Sequence, residues 1–216
     1  TLTLNGDFSN SGTFTNPGGT VSTNGGSFDV ANRTFNQSQA IASRLLTNDL
    51  YISPDGTYLY IAEQQGNDTV FRYTLSTPFD MSTISVTDQS HDVNTEETAI
   101  TAMTFSNDGM EMFIAGGDGG TGEINGYTLT TAWDISTGVT LVDTLDVNTQ
   151  DTFPQGMDFS IDGTKMYMTG DGSDDVHQYN LPTAWDLTGA SYYGFADVSL
   201  QTSGAYGMAF SESGAQ

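Results

Sequence analysis

From residue 49 onward, apolar positions come in short alternating bursts separated by turn residues. The stretch 99–106 carries Ile100, Met103 and Phe105 as its apolar positions, and Asn107-Asp108-Gly109 interrupts it before 111–115 resumes. Asp-Gly between two apolar runs is a strong hairpin signal. The pattern predicts a third strand over 123–129 and an outer fourth strand over 139–146. The following residues repeat it, with predicted strands at 156–160, 165–169, 175–181 and 192–198.

The bursts belong to a longer repeat. Ile52-Ser53-Pro54-Asp55-Gly56 returns as Phe105-Ser106-Asn107-Asp108-Gly109 and as Phe159-Ser160-Ile161-Asp162-Gly163, with a decayed copy at Phe210-Ser211-Glu212-Ser213-Gly214. The spacings are 53, 54 and 51 residues. A second phrase keeps step: Tyr73-Thr74-Leu75, Tyr127-Thr128-Leu129, Tyr179-Asn180-Leu181. A third follows: Thr77-Pro78-Phe79-Asp80, Thr131-Ala132-Trp133-Asp134, Thr183-Ala184-Trp185-Asp186. Self-similarity at about 40–50 residues in a strand-rich chain is the mark of β-propeller blades. The chain therefore reads as all-β, a β-propeller of four-stranded blades, with units at 49–98, 99–152, 153–203 and a short 204–216. Closed propellers typically need about 4–8 blades, so the ring is incomplete in this chain and further blades are expected beyond Gln216. Small residues stand at Ala102, Gly156 and Gly207, just before Met103, Met157 and Met208, as suits inner strands converging on an axis. The first unit departs there, with Asp49-Leu50-Tyr51-Ile52, which marks either a terminal blade or a different entry into the ring.

Residues 1–36 follow another rhythm and are taken as a separate segment from the propeller part, 37–216. Gly6, Gly12, Gly19 and Gly26 are each followed two residues later by one apolar side chain: Phe8, Phe14, Val21 and Phe28. One large apolar residue per short strand buries too little to stand alone. The segment is expected to be a Gly/Asn/Thr-rich β stalk that stacks, intertwines with identical chains or lies on a partner; a linker is the plainer alternative. Thr1 is not an initiator Met, so a processed or truncated start is also expected.

Charge narrows the function. The 216 residues carry 27 Asp and Glu against 4 Lys and Arg, a formal charge of −23. Phosphate recognition rests on clustered Lys and Arg, so nucleic acid is excluded as a partner, and so is docking on an anionic membrane. No apolar run approaches the roughly 18 residues of a spanning helix, so no membrane insertion is expected. Without cysteine the chain has neither disulfide nor thiolate metal site. Low total charge of nearly one sign, with Thr, Ser, Asn, Gln and Gly supplying the polarity, suits extracellular, salt-tolerant or virion-surface proteins.

Candidate chemistry is sparse. His91 lies in an inter-blade segment, and His177 aligns with Phe71 and Asn125 away from any channel. No Gly-x-Ser-x-Gly motif is present. Between the second and third strands lie two acidic glycine loops, 117–123 and 170–175. Their oxygen-rich side chains Asp118, Glu123, Asp171, Asp174 and Asp175 could hold a hard cation such as calcium. The plainer reading is exposed hairpin loops in which Asp and Gly adopt positive φ. The recurrent Trp-Asp pair reads as an aromatic packed between blades with Asp capping a turn, rather than a sugar-stacking site. Arg72 and Lys165, isolated in sequence, read as solvated.

The Phe-Ser-x-Asp-Gly phrase followed by Met112-Phe113-Ile114-Ala115 or Met166-Tyr167-Met168-Thr169 resembles lactonase-type and TolB-like propeller repeats. The added Tyr-x-Leu-x-Thr-Ala-Trp-Asp phrase resembles propeller repeats in structural proteins of marine phages and in secreted proteins of marine bacteria. The glycine cycle of 1–36 resembles stalk or adhesin segments of phage fibres and secreted surface proteins. The resemblance implies a non-enzymatic virion fibre, appendage or decoration protein touching a host surface glycan or protein. Residues 1–36 would contact other virion proteins or identical chains in a homo-oligomer. A secreted or cell-surface adhesin is the alternative, and a lactonase-type hydrolase, which would need metal ligands converging in the channel, a third.

Overall fold

The alternation of apolar positions is realised as a row of strand-built blades. In the computed structural model of the chain, the described residues are 46–210 apart from 65, 66, 86, 118, 119, 201 and 203. The proposed stalk over 1–36, its boundary with 37 and the turn at 211–214 lie outside the described residues. The first sheet is β1 (Thr47–Ile52), β2 (Tyr58–Glu63), β3 (Thr69–Thr74) and β4 (Gln89–Asp92). The second is β5 (Ile100–Phe105), β6 (Glu111–Gly116), β7 (Glu123–Leu129) and β8 (Val139–Asp146). The third is β9 (Pro154–Phe159), β10 (Lys165–Gly170), β11 (Asp175–Asn180) and β12 (Ser191–Asp197). Each sheet is antiparallel and ordered in sequence, a four-stranded meander. The inner strands pack side by side, β1 against β5 and β5 against β9. No helix among the described residues is long and apolar enough to cross a membrane.

The Ser-x-Asp-Gly phrase closes the first hairpin of every blade. Ser106 Oγ donates to Asp108 Oδ1 (2.8 Å) and accepts from the Glu111 amide (2.9 Å). Ser53 and Ser160 repeat this with Asp55 and Asp162. The glycine has two reasons to be glycine. Gly109 sits at φ +72, and a Cβ there would fall 2.2 Å from the Trp133 ring. The hairpin phrase and the Trp-Asp phrase are thus two sides of one contact: Trp133 N–H donates to the Gly109 carbonyl (2.9 Å) while its ring covers the glycine face. Asp134 then accepts from the Ser136 amide (2.8 Å), capping the turn as expected.

The aromatic of each Trp-Asp phrase wedges against the preceding blade. Trp133 lies 6.2 Å from Tyr51 and 6.5 Å from Tyr60 of the first sheet, and 5.7 Å from Phe105 of its own. Trp185 repeats this with Phe113 (6.4 Å) and Phe159 (5.1 Å). The apolar alternation therefore feeds the junctions rather than one central core. Tyr60, Ala62 and Val70 of the first sheet pack with Met103, Met112, Ile114 and Tyr127 of the second. Phe113, Ala115 and Ile124, on the second sheet's other face, pack with Met157, Met166, Met168 and Tyr179 of the third. Burying such side chains stabilises by about 1.5–3 kcal/mol each. Crowding near the axis is also as expected: a Cβ on Gly156 would fall 2.8 Å from Gly207 Cα.

The first unit, whose sequence departs at Asp49-Leu50-Tyr51-Ile52, still pairs β1 with β2 as β5 pairs with β6. One expectation needs adjustment. Arg72 is not solvated. Its side chain is 12% exposed, its Nη2 lies 3.1 Å from Asp88, and its Nη1 donates to the Trp133 carbonyl (2.8 Å). Its guanidinium lies 4.5 Å over the Tyr58 ring. Sequence spacing hid this because Tyr58 and Asp88 reach Arg72 across the sheet of its own blade and Trp133 comes from the next.

Candidate functional site

The inner strands border an axial cavity of about 610 Å³. Asp49, Tyr51, Asn107, Gln155, Asp158 and Tyr206 are among its polar lining groups. Both carboxylates are engaged by backbone amides. Asp49 Oδ2 accepts from Met103 N–H (2.7 Å) and Oδ1 from Leu50 N–H (2.8 Å), tying the first blade to the second. Asp158 Oδ2 accepts from Phe210 N–H (2.6 Å) and Oδ1 from Phe159 N–H (2.8 Å). Burial raises both pKa values, with the amide bonds opposing it. Burial and the charge of Asp158 push the Tyr51 phenol up to about 12, so it stays protonated at neutral pH.

A second set of polar groups lies where the chain passes between blades. The connector Asp92-Val93-Asn94-Thr95 returns as Asp146-Val147-Asn148-Thr149, a repeat the sequence reading passed over. It delivers one buried acid to each junction, Glu97 and Asp151. Asp151 Oδ1 accepts from Phe153 N–H (2.7 Å); Oδ2 accepts from the amides of Gly172 (3.1 Å) and Ser173 (3.0 Å) and from Ser173 Oγ (3.1 Å). It thereby pins the loop between β10 and β11. Glu97 is less well served. Its Oε1 accepts from Ala99 N–H (2.9 Å), but Oε2 is buried without a hydrogen-bond partner. Burial lifts the Glu97 pKa to about 7, and the charges of Glu123 and Asp68 add to the lift.

The residues suggested as calcium ligands are placed as follows. Asp118 lies outside the described residues. Glu123 opens β7, opposite Gly116 and Asp146. Asp171 Oδ1 accepts from Tyr206 Oη (3.1 Å). Asp174 sits at φ +55, in the left-handed region expected of such a loop. Asp175 opens β11, opposite Asp197. Among the described residues, no three His, Asp or Glu side chains group closely enough to hold a metal ion.

The histidines sit away from the axial cavity. His91 lies on β4, its ring 6.1 Å from Tyr127. His177, on β11, is 3% exposed. Its Nε2 lies 2.9 Å from Ser173 Oγ and its Nδ1 3.2 Å from Tyr192 Oη. Burial lowers its pKa, so the ring is neutral at pH 7. Ser173, also engaged with Asp151, and His177 make a closed polar network that supports the loop.

No family model matches the chain, and no curated protein matches it. Solved structures do. A putative 6-phosphogluconolactonase from Bacteroides fragilis is 15% identical, with 78% of this chain and 45% of that one covered and a TM-score of 0.52. The periplasmic gluconolactonase of Pseudomonas aeruginosa is 18% identical over 69% of this chain and 39% of that one, TM-score 0.49. The Cps50 (Swd1) β-propeller domain of Myceliophteria thermophila is 11% identical over 71% and 43%, TM-score 0.48. The chain spans less than half the length of each of these structures. At such identities the likeness concerns the fold alone: the three sheets are β-propeller blades.

Proposed function

We propose that this chain is a non-enzymatic display and binding protein, and that its blades form part of a virion-exposed fibre, appendage or decoration that touches a host surface. The observation that supports a structural role is the state of the axial carboxylates. Asp49 and Asp158 each direct both oxygens at backbone amides, one on the following residue and one more than 50 residues away, Met103 and Phe210. A propeller hydrolase needs converging ligands there; in this chain those positions hold blades together. The net charge of −23 and the glycine cycle of 1–36 support the placement on an exposed surface.

Peptide mass spectrometry on purified virus particles and on the washed surface fraction of host cells tests the placement. Peptides from 73–165 at structural stoichiometry in virions are expected. Their confinement to the cell fraction would replace the virion reading with a secreted adhesin. Hydrolysis of a lactone by the purified chain, abolished by chelator, would instead establish the hydrolase.

A further inference from the structure

The two blade junctions are built from equivalent positions, so each serves as a reference for the other. Trp133 and Trp185 are the wedges, both at positive φ. Cross-strand register pairs Tyr60 with Arg72 in the first sheet and Phe113 with Gly126 in the second. Gly126 therefore stands where Arg72 stands. Glu111 likewise stands where Tyr58 stands, each opening the second strand of its sheet.

At the first junction the guanidinium of Arg72 fills the space beside the wedge. It donates to the Trp133 carbonyl, pairs with Asp88 and lies over Tyr58. At the second junction Gly126 supplies no side chain, and a groove of about 340 Å³ lies there instead. Glu111, Gly126, Asp143, Trp185, Asp186 and Leu187 are among its lining residues. Asp143 is the cross-strand partner of Gly126. Its Oδ1 accepts from Thr144 N–H (2.8 Å), and Asp186 Oδ1 accepts from Thr188 N–H (2.8 Å). The wedge is retained, no Lys or Arg among the described residues lines the space, and carboxylates do. Arg72 and Lys165 do not line this groove.

We propose that the groove between the second and third blades is a binding site for a guanidinium group supplied in trans, such as the arginine side chain of an exposed peptide. The chemistry follows from the first junction. A planar fork can satisfy a carbonyl and a carboxylate together while its face lies against neighbouring side chains, which a compact ammonium cannot do. The negative field of the chain concentrates cations around it but does not choose among them; the groove makes the choice. The proposal is independent of whether the chain belongs to a virion or to a cell.

The test is a titration of the 216-residue chain with N-acetyl-arginine amide in about 0.15 M salt, where long-range attraction is largely screened. Binding is followed by calorimetry and by the indole N–H resonance of Trp185. One-to-one saturable binding that moves Trp185 and leaves Trp133 in place is expected, with N-acetyl-lysine amide about tenfold weaker. Glu111→Gln combined with Asp143→Asn should weaken binding by about tenfold or more. Gly126→Arg should abolish it by supplying the guanidinium internally; Leu187 Cδ1, 3.2 Å from a Cβ at that position, must give slightly. If that variant fails to fold, the carboxylate variants still decide. Equal binding of the lysine amide, indifference to the carboxylate changes, a response at Trp133 instead, or no saturation would each overturn the site. An arginine-containing peptide that binds no better than guanidinium ion would assign the groove to small guanidinium compounds rather than to peptides.

Discussion

Glu97 shows how a single side chain can set a pH dependence. It is 3% exposed, has one buried carboxylate oxygen without a partner, and holds its proton up to about pH 7 because burial disfavours the charge. Its folded pKa lies above the ordinary 4.5, so the folded state binds the proton more tightly than the unfolded chain. The stability this proton confers is therefore present below pH 4.5 and is lost as pH rises through about 7. Glu97→Gln, which keeps the shape without the ionisation, should raise stability at pH 8 by on the order of 2 kcal/mol and change it little at pH 5. Thermal midpoints of both proteins across that range check it; parallel pH profiles would remove Glu97 as the source. At the equivalent junction the Asp151 carboxylate instead collects four hydrogen bonds.

At the scale of elements, the blades are held to one another by wedges and by one arginine. Arg72 combines an ion pair, a carbonyl hydrogen bond and a ring contact at the first junction. Lysine keeps the charge but cannot reach both acceptors in one plane. Arg72→Lys should therefore cost about 1–2 kcal/mol, read as a lowered thermal midpoint. An unchanged midpoint would mean the arginine is energetically solvated after all. Trp185, whose ring meets Phe113 of one blade and Phe159 of the next, should be more costly to truncate. Trp185→Ala is expected to lose about 3 kcal/mol and to loosen the third blade before the first two. Hydrogen exchange resolved by blade distinguishes this from uniform destabilisation.

For the whole molecule, self-repulsion dominates the electrostatics. With a formal charge of −23 and only 4 Lys and Arg in the sequence, few carboxylates can find a cationic partner. Screening should relieve the repulsion, so the thermal midpoint is expected to climb between about 0.01 M and about 0.5 M sodium chloride. A flat response would show that backbone amides, such as those facing Asp49 and Asp158, already absorb the charge.

The sequence by itself determined the blade repeat, the hairpins and the wedges. These are local or periodic: Ser106, Asp108 and Gly109 act within a few residues, and the repeat carries them from blade to blade. Strand limits followed for the same reason, with β7 and β8 running over the predicted 123–129 and 139–146. Only the tertiary structure decided which polar residues meet. Arg72 finds the Trp133 carbonyl from 61 positions away, and Asp49 finds the Met103 amide from 54. Glu97 keeps one carboxylate oxygen without a partner because the fold buried it against Gly116. A strand's alternation tells which face a side chain takes; it does not tell what stands opposite, because that partner comes from the next blade.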